Sequence, residues 1–285
     1  MLFLGAFAIL MAFAPGWAGE AIRRLSGVHP AALGEQGGLW GRLGSMASFI
    51  AFTFLLNLTL VEAFCRYVDR RRLRSLGWSP RGQRAEIARG ALLGCGILLT
   101  GFLLLLAGGQ VHVVSAAFHP AVLGAYFGIT LLVALQEELV FRGYVLRNLM
   151  DSFPPRQALA LSALVFVLVH VSGRSPDPVL LLNAFLGGLL LGMRYVVTLN
   201  LWFAVALHLS WNFVEGPVLG FGVSGLPVTG LLALNLEGDP RWTGGRAGLE
   251  GSLLLVPVLV AALAGMAVWA RRGVPRTPLA TRDGG

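Results

Sequence analysis

The stretch AVLGAYFGITLLVALQEELVFRGYVLRNL, residues 121–149, decides the fold. A membrane span needs roughly 20 mostly apolar residues, and this run supplies them. It then does something a plain span does not. Inside the run stand Gln136-Glu137-Glu138-Leu139-Val140-Phe141-Arg142, and ionisable groups within a span are costly and by default mark function.

The rest of the chain has the same character. Of its 285 residues 56% are hydrophobic and only 13% charged, with a mean hydropathy of +0.74. A soluble domain carries about 25% charged residues to cover its surface, so the composition excludes a soluble globule. All 22 basic residues are Arg, against 14 acids, a net charge of +8. A nucleic-acid binder shows a basic face on a polar domain. Here the Arg residues sit between apolar runs, so no nucleic acid is expected as a partner. Cys65 and Cys95 form no CxxC or other metal spacing.

Eight apolar segments, at about 2–18, 44–65, 90–107, 121–149, 157–172, 179–193, 199–215 and 252–270, predict an all-α, polytopic transmembrane helix bundle of about eight spans. Residues 1–285 read as a single integral membrane domain. No basic residue precedes the apolar run at 2–18, as a signal peptide requires, so it is read as a helix. Arg placement sets the orientation. The segment 66–89 holds Arg66, Arg70, Arg71, Arg72, Arg74, Arg81, Arg84 and Arg89, the 151–156 turn has Arg156, and the tail has Arg271, Arg272, Arg276 and Arg282, whereas 108–120 has none. Eight spans with both termini cytoplasmic satisfy these signals in a bacterial inner membrane, although 19–43, with Arg23, Arg24 and Arg42, then falls outside. The Gly- and Pro-rich connection 216–250 reads as an irregular outer loop, and Pro154-Pro155 as a tight break between helices.

Glu138 and Arg142 are four apart, share a helix face and can pair. Glu137 is rotated about 100° away, with no partner in its own helix. A buried carboxylate without a cation is the environment a general base needs; the competing reading is an interhelical clamp to Arg. Phe166 precedes His170 by one turn and can wall its pocket, and His208 and Asn212 project from one helix face. From Glu137 to Asp151 the rise is roughly 21 Å, and from Pro155 to His170 roughly 22 Å. An antiparallel hairpin therefore puts Glu137 and His170 at matching depth, with His208 near enough to join them.

Glu137-Glu138-x-x-x-Arg142, Phe166-x-x-x-His170 and His208-x-x-x-Asn212, in this order, resemble the CPBP intramembrane proteases, which include the type II CAAX prenyl endopeptidases and bacterial abortive-infection or bacteriocin-immunity proteins. The resemblance covers about 120–215, which would then be the catalytic core helices. It implies an endopeptidase acting on a membrane-associated peptide or protein, with prenylated CAAX tails as one substrate class. It also implies that Glu137 and His170 activate the attacking water, that His208 and Asn212 stabilise the oxyanion, and that Glu138 with Arg142 braces the helix. No cofactor is expected, as family members are described as working without metal. The alternative is zinc held by Glu137, His170 and His208, a legitimate three-ligand set.

Two other classes compete: a proton-coupled transporter using the same acids and histidines, and a non-enzymatic immunity or scaffold protein. Transporters commonly show repeats and broken helices, and neither is seen in the sequence. Glu62 and Glu215, near helix ends, read as snorkelling or capping residues, and Asn57 and Asn183 as interhelical hydrogen bonds. His29, His112 and His119 fall in loops and receive no role.

Overall fold

In the computed structural model the described residues are 38–78, 82–171, 177–223 and 228–273, with side chains for all of these but 170, 171 and 271–273. They run through α1 (Gly38–Ala63), α2 (Gln83–Ala107), β1 (Val111–Ala116), α3 (Pro120–Glu138), α4 (Pro155–Val171), α5 (Pro178–Thr198), α6 (Trp202–Phe213), β2 (Leu232–Leu236) and α7 (Leu255–Gly273). Three helices continue as π-helix, at Phe64–Val68, Leu139–Leu146 and Val214–Val218. Five helical segments are long and apolar enough to cross a membrane: Gly38–Val68, Gln83–Ala107, Pro120–Met150, Pro178–Thr198 and Gly245–Ala270. The protein is an all-α membrane-helix bundle. Seven of the eight expected spans fall on described helices; the first, at 2–18, lies outside the described residues, as do Arg23, Arg24, His29, Arg81, Arg276 and Arg282.

The helix ends follow local chemistry. Asp177 caps α5, its Oδ1 accepting from the backbone N–H of Val179 (2.8 Å) and Leu180 (3.3 Å), with Pro178 in the first turn, where its missing N–H costs nothing. Pro155 opens α4 in the same way, so the Pro154-Pro155 break is where the hairpin turns.

The Arg-rich 69–78 connection and the Arg-free 108–120 connection lie at opposite ends. Arg71 reaches Asp151 (2.7 Å), and Leu201 N–H donates to Gly77 O at 3.0 Å, so the 69–78, 151–154 and 199–201 connections share one end. At the other end β1 pairs antiparallel with β2. That pairing corrects the expectation of an irregular 216–250 loop. The connection also holds a helical turn (Pro240–Thr243) and a 3-10 segment (Gly245–Gly251). Backbone groups left unpaired near the apolar phase are costly, and the ladder satisfies them.

Between helices in lipid, association comes from close packing rather than from burial of apolar surface. Gly90 and Gly94 of α2 show it. A Cβ on Gly90 would sit 2.2 Å from Phe203 O, and one on Gly94 2.1 Å from Ser210 Oγ. The two glycines, one turn apart, let α2 lie directly on the backbone of α6. A Cβ on Gly188 of α5 would likewise lie 3.1 Å from the Cβ of Ala163 in α4. These approaches seat α6 on α2 and α5 on α4.

Candidate active site

Glu137 and Glu138 close the last turn of α3, where the helix widens into the π segment Leu139–Leu146. Such widenings recur at functional sites. Arg142 lies in this segment and still reaches back one turn: its Nη1 donates to Glu138 Oε1 at 2.7 Å, with both side chains 1% exposed or less. Its Nη2 donates to Gly188 O at 3.3 Å. The guanidinium also lies 4.7 Å from the ring centroid of Phe166, and that ring packs edge-on against Phe141 at 5.0 Å. Phe166 is thus the face on which Arg142 rests, a role the sequence did not disclose.

Glu138 is more than a brace. Its Oε1, already taken by Arg142, also lies 2.8 Å from His208 Nδ1 on α6. That contact engages Nδ1 and leaves Nε2 as the other face of the ring, 3.9 Å from Glu137 Oε2. His208 stands between the two acids, and the expectation that the paired acid is purely structural is incomplete. Glu137 is 23% exposed in its side chain, against 0% for Glu138. Of the two carboxylates it has the more exposed side chain, although the Oε2 that faces His208 is itself buried.

Asn212, one turn beyond His208, is 8% exposed, and the pair line the same face of α6. Glu215 continues that face and is fully buried. Its Oε1 accepts from the backbone N–H of Glu250 at 3.1 Å, so it ties the 3-10 segment to the end of α6 and does not snorkel. Glu62 is exposed at the end of α1.

α4 packs antiparallel along the π segment, with Ser162 Oγ donating to Phe141 O at 3.2 Å. His170 is in the last turn of α4, one turn past Phe166 and towards the level of Glu137; its side chain lies outside those described. Asn57 bonds Gln136 across helices, Nδ2 to Oε1 at 3.4 Å, as expected. Asn183 instead holds the segment before α7, donating to Glu250 O and Ser252 O, both at 2.9 Å. His112 lies on β1, 3.5 Å from Glu237, and His119 just before α3, both at the β1–β2 end and distant in sequence from Glu137 and Glu138.

Glu137 and His208 Nε2 have a separation that one small ion or one water can bridge. The carboxylate on His208 Nδ1 is also the outer partner that metal-bound histidines usually have, so this donor set fits zinc as well as water. Among the described residues no cluster of three His, Cys, Asp or Glu side chains is present.

No curated protein and no solved structure matches the chain. Residues 119–214, a third of its length and the part that carries Glu137, Glu138, Arg142, Phe166, His170, His208 and Asn212, match the family model described as Type II CAAX prenyl endopeptidase Rce1-like.

Proposed function

We propose that the chain is an intramembrane endopeptidase that hydrolyses a peptide bond of a membrane-associated substrate, of which CAAX-type prenylated tails are one class. The observation that carries this reading is Glu137, a partly exposed side chain whose Oε2 faces His208 Nε2, while buried Glu138 holds the opposite ring nitrogen. The family match over residues 119–214 supports it. Glu137, with His170 as the resemblance implies, takes a proton from the attacking water. The tetrahedral oxyanion is met by Asn212 and by the Nε2 side of His208. Preorganised donors of this kind are worth about 3–4 kcal/mol each. Glu138 and Arg142 act through His208, fixing its ring orientation. We place the protein in a bacterial inner membrane with the Arg-rich end cytoplasmic.

The chemistry is read as metal-free, with zinc as the second reading because Glu138 already occupies the outer nitrogen of His208. Glu137, His208 and His170 would hold the ion, which when bound would lower the pKa of its water. Metal content of the purified protein separates the two: stoichiometric zinc, with activity lost on chelation and regained on adding it back, overturns the metal-free reading.

Glu137→Gln keeps the shape and removes the base. Membranes containing the wild-type protein are expected to accumulate new peptide termini, read by quantitative proteomics, that membranes with the variant lack. An identical set of termini in both would falsify the assignment.

A further inference from the structure

Residues 64–78 cross the Arg-rich end of the bundle and carry a dense basic patch that the hydrolytic site does not use. Arg66, Arg70, Arg72 and Arg74 are all exposed. Among the described residues none of the four has an acidic partner, whereas Arg71 between them is turned inward onto Asp151 at 2.7 Å. Signalling topology needs only the charge; this segment also has a fixed shape. Asp69 N–H donates to Phe64 O (3.0 Å) and Arg71 N–H to Cys65 O (2.9 Å). Ser75 Oγ donates to Arg72 O (2.6 Å), and Tyr195 Oη to Leu76 O (2.9 Å). Arg70 has φ +54°, a left-handed conformation that a residue with a Cβ adopts only at a cost. That cost is borne at the residue whose neighbour is the anchor, and it leaves Arg70 facing out while Arg71 faces in.

The level of the patch is also set. It joins α1 to α2, both long enough to cross a membrane, so it lies where the apolar phase ends. Aromatic side chains favour that boundary: Tyr67 is 75% exposed with Arg66 5.7 Å above its ring, and Trp78 packs edge-on against Trp202 at 5.3 Å. Guanidinium groups take phosphate oxygens two at a time.

We infer that this face binds the headgroups of anionic phospholipids, with Arg66, Arg70, Arg72 and Arg74 as the phosphate-holding residues. The inference is independent of the hydrolytic function. Because the 69–78 segment is tied to the end of the α3 extension through Arg71–Asp151 and Asn148–Asp69 (3.5 Å), bound lipid also steadies the helix that carries Glu137.

The test is native mass spectrometry of the full chain released from vesicles of equal parts phosphatidylglycerol and phosphatidylcholine, counting the lipids that remain bound. The wild-type protein is expected to keep phosphatidylglycerol in preference. The R66Q/R70Q/R72Q/R74Q variant is expected to lose that preference, with retention falling about fivefold per guanidinium removed, while R241Q/R246Q, at the opposite end, keeps it. Arg70→Gly removes one guanidinium yet suits the left-handed backbone, so it separates charge from loop shape. It should weaken retention even with the loop relaxed, and it serves if the quadruple variant does not fold. Added inorganic phosphate at constant ionic strength should leave lipid retention unchanged; displacement would assign the patch to free phosphate instead. Equal retention of the two lipids by the wild-type protein, or equal loss in the R241Q/R246Q control, overturns the inference.

Discussion

Replacing Arg142 by Met tests whether the buried ion pair serves both stability and chemistry. The change leaves Glu138 Oε1 with His208 Nδ1 but without its cation, inside a site where both partners are 1% exposed or less. Removing one partner of a buried pair costs about 3–5 kcal/mol, chiefly because the other charge is stranded. The lost contact with the Phe166 face, 4.7 Å from the guanidinium, adds up to about 2 kcal/mol where such contacts are desolvated. Methionine refills part of the volume. The single variant is therefore expected to lose about 4–6 kcal/mol, measured by unfolding in mixed micelles with increasing dodecyl sulfate. In the double variant Glu138→Leu, Arg142→Met no charge is stranded, and most of the ion-pair loss should return, as when buried pairs are replaced by apolar residues of similar volume. Activity should not return with it, because His208 has then lost the acceptor that fixes its ring. A cost below about 1 kcal/mol for Arg142→Met, or a double variant that regains proteolysis together with stability, would refute the shared role given to Glu138.

Gly90→Ala forces a Cβ to within 2.2 Å of Phe203 O, so α2 and α6 must part. A loss of about 1–3 kcal/mol in the same assay is expected, together with reduced proteolysis, whereas Gly96→Ala, which meets nothing within 4 Å, should behave as wild type. Asn212→Ala should lower kcat about 10²–10³-fold with little change in stability if Asn212 meets the oxyanion; an unchanged kcat would make it a packing residue. Glu215→Leu strips the acceptor from the N–H of Glu250 and should cost about 1–3 kcal/mol, while Glu215→Gln, which can still accept, should cost less. Equal costs would show that the hydrogen bond does not matter.

What the sequence disclosed was local. The run at 121–149 and its Glu138–Arg142 spacing became a helix with that pair closed at 2.7 Å, because helical periodicity acts over four residues. The bond between Glu138 and His208 spans 70 positions, and no periodicity reaches that far. Depth arithmetic brought α4 beside α3 but could not say that His208 would touch both acids. Glu215 was misread for a related reason: its place near a helix end looked wet, yet the folded 245–251 segment covers it. β2 is five residues long and pairs with β1 far back in the chain, so a reading weighted towards Gly and Pro passed over it. Gly90 and Gly94 did give a signal, small residues at i and i+4, and it marks the contact that seats α6 and hence His208.

That contact bears on how the site is held together. Glu137 belongs to α3 and His208 to α6, so their 3.9 Å separation is only as firm as the packing between the two helices. Two restraints set it. Glu138 grips His208 from the neighbouring position on α3, and α2 presses on α6 through glycines that leave no slack. Arg142 links the first restraint to α4 through Phe166 and to α5 through Gly188 O. The Glu138–Arg142 pair thus joins four helices: α3 to α6 through Glu138 Oε1, and to α4 and α5 through the guanidinium. A group that fixes both the fold and the ring orientation of a neighbouring histidine should be harder to replace than Glu137 itself: Glu137→Gln is expected to spare stability, whereas no single substitution at Glu138 spares both.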